Sequence, residues 1–137
     1  MPRIEVVAAV FSRDGKVLAC RRAPGKSAAG MWEFPGGKVD DDETPEAALV
    51  REIREELGLS VSVGDLVDRT VTPVGPLDID LSCYFVSFGE VPSHSTDHDE
   101  LRWLSRDELP SLNWATPDLP AVTILSTSRH KRVTERL

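Results

Sequence analysis

Residues 44–58 hold the strongest local signal in the chain, and they constrain the architecture of the whole. Thr44 suits a helix N-cap, Pro45 the first helical position and Gly58 a left-handed stop, so the sequence predicts a helix between them. Val50, Ile53 and Leu57 recur at helical spacing and form one apolar stripe. Glu52, Glu55 and Glu56, at i, i+3 and i+4, gather on another face of the same helix. Three like charges so close repel one another, and no clustered basic partners within the helix are evident to relieve them. A hard divalent cation with oxygen ligands removes that penalty, and Mg2+ is the usual one where phosphates complete the shell. On its own, the same face also fits an ordinary solvated acidic helix.

Strand-like segments lie on both sides of this helix. Residues 4–11 form a near-continuous apolar run, the pattern of a strand covered on both faces. Asp14-Gly15 is a two-residue hairpin signal, and residues 16–21 read as the returning strand. Beyond the helix, residues 61–63 and 67–72 are strand-like, and Pro73-Val74-Gly75-Pro76 reads as a turn. In residues 79–88 the alternation puts Ile79, Leu81, Cys83 and Phe85 on one face. Ser93 to Glu100 reads as a polar loop, Ser105 and Glu108 as a capping-box pair, and Leu119 to Ser128 as a last helix. Strands before and after a strong helix imply one α/β domain over 1–128, a mixed sheet packed with helices, followed by a basic tail over 129–137.

Composition excludes several classes of function. The chain has 137 residues, 40% of them hydrophobic, enough to build a core, and its longest apolar run is too short to span a bilayer. No secretory signal pattern opens the sequence, and two cysteines give neither a disulfide framework nor metal spacing, so Cys20 and Cys83 read as reduced core thiols of a cytoplasmic protein. A net charge of −7 disfavours nucleic-acid polymers and anionic membranes as partners. That charge is concentrated: residues 37–59 hold eight acids against three bases. His94 and His98 are four apart in a loop-like stretch without a third zinc ligand.

The segment GKVDDDETPEAALVREIREELGL (37–59) also has a fixed skeleton: Gly, five residues, Glu, seven residues, Arg-Glu-Ile, one residue, Glu-Glu, one residue, Gly-Leu. This resembles the Nudix box at every specified position. The wider passage from Met31 to Gly58 looks like MutT-type nucleoside triphosphate pyrophosphatases. IEVVAAV, WEFPGGKV and TPDLP are similar to the corresponding stretches of bacterial CTP pyrophosphohydrolases. The resemblance implies an α/β/α sandwich with a mixed sheet and a loop-helix-loop catalytic motif. It implies Mg2+-dependent hydrolysis of a nucleoside triphosphate to monophosphate and pyrophosphate, with Mn2+ as a substitute metal, by a monomer or weak homodimer.

The same resemblance assigns roles. Glu52 would act as general base or orient the attacking water, and would join Glu55, Glu56 and the Gly36 carbonyl around the metal. Glu43 and Arg51 would pair to hold the loop against the helix. Arg22 and Lys38 would contact substrate phosphates. The family's outer metal-binding glutamate, six residues before a tryptophan, falls here on Asp97, one methylene shorter, with Asp99 and Glu100 as alternatives.

The position that reads the base in the family matches Asp118. An ionised carboxylate only accepts hydrogen bonds, which suits an amino base such as cytosine. Asp118 equally suits the N-cap of the final helix. Phe34 and Trp32 could wall the base or belong to the core. The sequence therefore favours CTP, dCTP or 5-methyl-dCTP as substrate. An 8-oxo-dGTP diphosphatase is the first alternative; an ADP-ribose-type pyrophosphatase and a silent nucleotide-binding regulator come behind it.

Overall fold

The computed structural model describes residues 2–127. Among the described residues, eight strands form two sheets. In the first, β5 (Gly36–Lys38), β1 (Arg3–Val10), β7 (Leu77–Phe88) and β6 (Val61–Val74) lie in that order. The β1–β7 pair is parallel and its neighbours are antiparallel, so the sheet is mixed. In the second, β3 (Lys16–Arg22) pairs with β8 (His98–Ser105), β2 (Ser12–Arg13) and β4 (Trp32–Glu33), all antiparallel. The Asp14-Gly15 turn has positive φ at both residues, the geometry a two-residue hairpin needs to match strand twist.

Helix α1 (Pro45–Leu57) and helix α2 (Leu119–Thr127) cover opposite sides of the first sheet. The alternating side chains of β1 divide between them. Val7, Ala9 and Phe11 pack with Leu49, Ile53 and Leu57 of α1, whereas Ala8 and Val10 pack with Leu81, Cys83 and the α2 residues Ala121, Val122 and Leu125. The apolar run of β1 is thus buried on both faces, and the α/β/α sandwich expected from the sequence is present.

Several boundaries differ from the sequence reading. β6 is one 14-residue strand, bulged between Val63 and Asp68, and it runs through Pro73 and Val74, which pair with Asp78 and Leu77. The turn is therefore confined to Gly75 and Pro76, with Gly75 at positive φ. β8 begins at His98, so the polar loop is shorter than expected; long-range pairing with β3 overrides the local polarity. Ser105 and Glu108 form the expected capping box, on a short 3-10 helix over Arg106–Ser111. Ser128 and the basic segment 129–137 lie outside the described residues. Among the described residues, no helix is long and apolar enough to cross a membrane.

Candidate active site

Helix α1 begins and ends where the sequence says. The Thr44 side chain accepts the Ala47 N–H at 3.1 Å, and Gly58 closes the helix at φ 69°. Its buried face, however, is rotated from the expected one. Ala48, Leu49, Ile53 and Leu57 are the buried apolar residues, while Val50 is half-buried. That arc includes Glu56, whose carboxylate is carried inward and is 3% exposed. The stripe read from Val50 omitted Leu49 and so set Glu56 apart from the buried face.

The acidic face also has a basic partner. Arg51 reaches Glu43 through two bonds of 2.8 and 2.9 Å, Glu52 at 2.9 Å and Glu55 at 3.0 Å. Its fifth bond goes to the Lys38 carbonyl at 3.1 Å. The expectation that nothing basic relieves these carboxylates is corrected here. One guanidinium, one turn before Glu55, serves Glu52 and Glu55 together with Glu43 of the loop, leaving Glu56 aside, because its planar fork can donate in several directions. The Arg51 side chain holds Glu43 down to a pKa of about 2, helped by the Asp40 N–H donated to Glu43. The loop after β5 is thereby tied to the helix.

Glu56 is in a different position. Neither of its oxygens has a hydrogen-bond donor among the described residues. Burial, followed by the charges of Asp97 and Glu33, pushes its carboxyl up to about 9. A proton on Glu56 turns it into a donor toward Asp97. Burial raises Asp97 as well, but Lys26 at 3.1 Å and the protonated Glu56 leave its pKa below the usual value. The Thr96 N–H bonds the Glu56 main-chain oxygen at 3.1 Å and fixes this loop on the end of α1. Asp99 and Glu100, the alternatives to Asp97, are turned away and paired with Arg21 at 2.8 and 3.3 Å.

Two glycines bring β5 close to these acids. A Cβ on Gly37 would run into the Glu52 carboxylate, and one on Gly36 into the Val7 carbonyl oxygen. Only glycine lets β5 pass between β1 and the helix at this spacing. Among the described residues, no three acidic, histidine or cysteine side chains already converge as a metal cage. With Glu52 and Glu55 drawn toward Arg51, such convergence is not expected. The donor set still fits a hard cation: it is all oxygen, and it includes a buried carboxylate that lacks a donor.

Beside this acidic cluster is a cavity of about 480 Å³, mostly apolar. Phe34, Leu81, Ile79 and Pro117 form its walls, and Arg22, Glu33, Lys38 and Asp118 supply its polar groups. Gly36 and Gly37 line it too, so one short strand borders both the cavity and the acidic helix. Phe34 rests against Trp114 with ring centroids 4.8 Å apart. Trp32 is not in the wall; it is a core residue with Arg102 over its ring. Arg22 is held by the Ser27 carbonyl and by Glu33, at 3.0 and 3.2 Å.

Asp118 differs from both sequence readings. It lies in a 3-10 turn that runs directly into α2, and its Oδ2 accepts the Phe34 N–H at 3.0 Å instead of capping the helix. Burial pushes its carboxyl up to about 8, so at neutral pH it is protonated and offers a donor as well as an acceptor. Glu33 was not singled out in the sequence, where WEFPGGKV was read for its likeness to the family stretch, with Phe34 and Trp32 as its candidate residues. Cys20 and Cys83 are buried and free, with burial raising both thiols well above the usual value, as expected of inert core cysteines.

Comparison with known proteins agrees with this geometry. The chain is 40% identical over 134 residues to the CTP pyrophosphohydrolase of Escherichia coli (strain K12), covering 96% of this chain and 98% of that one. It is 36% identical over 86 residues to the 8-oxo-dGTP diphosphatase of Proteus vulgaris, covering 62% and 77%. The solution structure of the E. coli ORF135 protein superposes with a TM-score of 0.79 at 37% identity, covering 96% of this chain and 94% of that one. The model of the NUDIX domain matches residues 1–124. From its capped acidic helix to its sandwich of sheet and helices, the chain belongs to the Nudix hydrolase family.

Proposed function

We propose that this enzyme hydrolyses a nucleoside triphosphate to the monophosphate and pyrophosphate with Mg2+, Mn2+ serving as a substitute. The observation that carries this reading is the shared border: β5 lines a nucleotide-sized apolar cavity on one side and touches the Glu52 carboxylate on the other. Glu52, Glu55, Glu56, Asp97 and the Gly36 carbonyl would hold the cation. When bound, it neutralises phosphate oxygens and acidifies a water molecule. Glu52 accepts the proton of the attacking water. Arg22 and Lys38 donate to the phosphates, and Phe34 presents its ring to the base. Arg51 keeps Glu52 and Glu55 from moving apart before the cation arrives.

The base preferred is cytosine, in CTP, dCTP or 5-methyl-dCTP. The E. coli relative named as a CTP pyrophosphohydrolase supports this. Asp118 supports it in an amended form: a protonated carboxyl donates to a ring nitrogen, and a neighbouring acceptor takes the amino hydrogen. The donor form also favours a second reading, an 8-oxo-dGTP diphosphatase, because an O–H suits a base carbonyl as well. A Mg2+-dependent pyrophosphate-release screen over CTP, dCTP, 5-methyl-dCTP, 8-oxo-dGTP and the unmodified nucleotides separates these. Turnover of the cytidine nucleotides, abolished by chelator, is the expected result. A strong preference for 8-oxo-dGTP overturns the cytosine assignment, and binding without any turnover overturns the hydrolase assignment.

A further inference from the structure

His98 has no part in the chemistry above, yet it is a buried polar side chain in contact with a residue that lines the cavity. Its side chain is fully buried at the start of β8. Both ring nitrogens are engaged: Nε2 lies 2.8 Å from Glu33 Oε2, and Nδ1 lies 2.7 Å from Ser95 Oγ. The Glu33 carboxylate only accepts, so Nε2 carries the proton of that contact and donates it, while Nδ1 bonds the Ser95 hydroxyl. Glu33 Oε2 receives a second donor, Arg22 Nη1, at 3.2 Å. A chain of contacts thus runs from Ser95 through His98 and Glu33 to Arg22. Its last two members line the cavity, and the first two do not.

The backbone is shaped to make this contact. Along β3 and β8 the pairing is regular from Lys16↔Ser105 to Arg21↔Glu100, then shifts by one residue so that Arg22 faces His98. The extra residue, Asp99, is left over on β8. A bulge of this kind reverses which face the following side chains take. Here it turns His98 inward to Glu33 and lets Asp99 remain outside with Arg21. With regular pairing, Arg22 would sit opposite Asp99.

We propose that His98 is a positioning residue for the nucleotide pocket: through Nε2–H it fixes the Glu33 carboxylate, and through Glu33 it sets the Arg22 guanidinium that faces the substrate. This rests on the nucleotide reading above. Without the imidazole, Glu33 keeps Arg22 as its one cationic partner and is free to close on it, drawing the guanidinium off the phosphates. The predicted signature is a loss of substrate affinity at unchanged chemistry. A role at the metal end, suggested by the 3.9 Å between Nδ1 and Glu56 Oε1, predicts a different one: altered Mg2+ half-activation at constant KM.

The test uses His98→Leu, His98→Gln, Glu33→Gln and the His98→Leu/Glu33→Gln double variant, with CTP as the probe and thermal melts to confirm folding. His98→Leu is expected to raise KM about tenfold with kcat within about twofold of wild type, the size of one lost charge-assisted contact. His98→Gln, which keeps a donor near the Nε2 position, should restore most of the loss. In the Glu33→Gln background the leucine substitution should cost little more, since the two residues act as one unit. An unchanged KM in His98→Leu overturns the proposal. So does an effect confined to Mg2+ half-activation, or one that persists at full size in Glu33→Gln. Should wild type turn over no nucleotide, the hydrolase reading falls, and the imidazole 15N spectrum judges the contact separately. An Nε2–H tautomer whose signals move in Glu33→Gln supports it; signals indifferent to Glu33→Gln overturn it.

Discussion

Glu55 and Glu56 are neighbours in sequence and identical in chemistry, yet the fold treats them as opposites. Glu55, 60% exposed, shares Arg51 with Glu43 and Glu52. Glu56 faces inward, with acids around it and, among the described residues, no donor on either oxygen. The outer acids are stabilised by a cation built into the chain. The inner one is stabilised by a proton, which a metal would displace on the reading proposed above. A helix can therefore assemble a metal site without intolerable repulsion if one basic residue manages the exposed part and burial manages the rest.

The largest effect that bears on this contrast belongs to the outer group. Glu52→Gln should fold normally and lose about 10²–10⁴-fold in turnover, the usual contribution of a general base. A near wild-type rate in pyrophosphate release would remove Glu52 from the chemistry. For the inner acid, Mg2+ at about 100 times its dissociation constant should stabilise the wild type by about 2.7 kcal/mol. Melting curves with and without Mg2+ should show much less stabilisation in Glu56→Gln; equal stabilisation in both would place the cation elsewhere.

Proton-stabilised and arginine-stabilised acids also answer pH in opposite directions. The Asp118 pKa is raised to about 8 in the folded chain, so the native state holds a proton that the unfolded chain has already released. Stability linked to it is full below about pH 4 and declines as pH rises through 8. Glu43 is held at about 2, so its contribution is full above about pH 4.5 and is lost as pH falls toward 2. Asp118→Asn should flatten the alkaline limb of a Tm-against-pH curve by several degrees and leave the acid limb alone. Arg51→Leu should lower stability by about 2 kcal/mol at neutral pH in a denaturant titration, with Mg2+ recovering part of it. The smallest change expected is Thr44→Ala, a lost N-cap worth about 1 kcal/mol, which tests whether the helix frame or its charges govern the site.

What the sequence revealed and what it hid follow a physical division. The ends of α1, the hairpin at Asp14-Gly15 and the capping box at Ser105 are local devices, so they were legible. The α/β/α layering came from the family resemblance, and the apolar run of β1, read as a strand covered on both faces, agreed with it. The inward turn of Glu56 depends on which side of α1 meets β1, and the stripe chosen from Val50 missed Leu49. Arg51 was assigned to Glu43 from the family resemblance, but its grip on Glu52 and Glu55 needed coordinates. Asp118 was read as ionised because burial is a tertiary property. His98 could be seen only as a histidine in a polar stretch; a one-residue slip between the distant strands β3 and β8 put it against Glu33.

The pairing of β3 with β8 has one more consequence, in the order of assembly. Its contacts join residues 16–22 to residues 98–105, and such long closures form late in folding. Helix α1 can wind as soon as its own residues exist, bringing Glu52, Glu55 and Glu56 with it. Asp97 and His98 arrive only when the last strand docks. On the roles proposed above, a growing chain that has passed its acidic helix would still lack Asp97 and His98, and its site would be complete only when the second sheet closes.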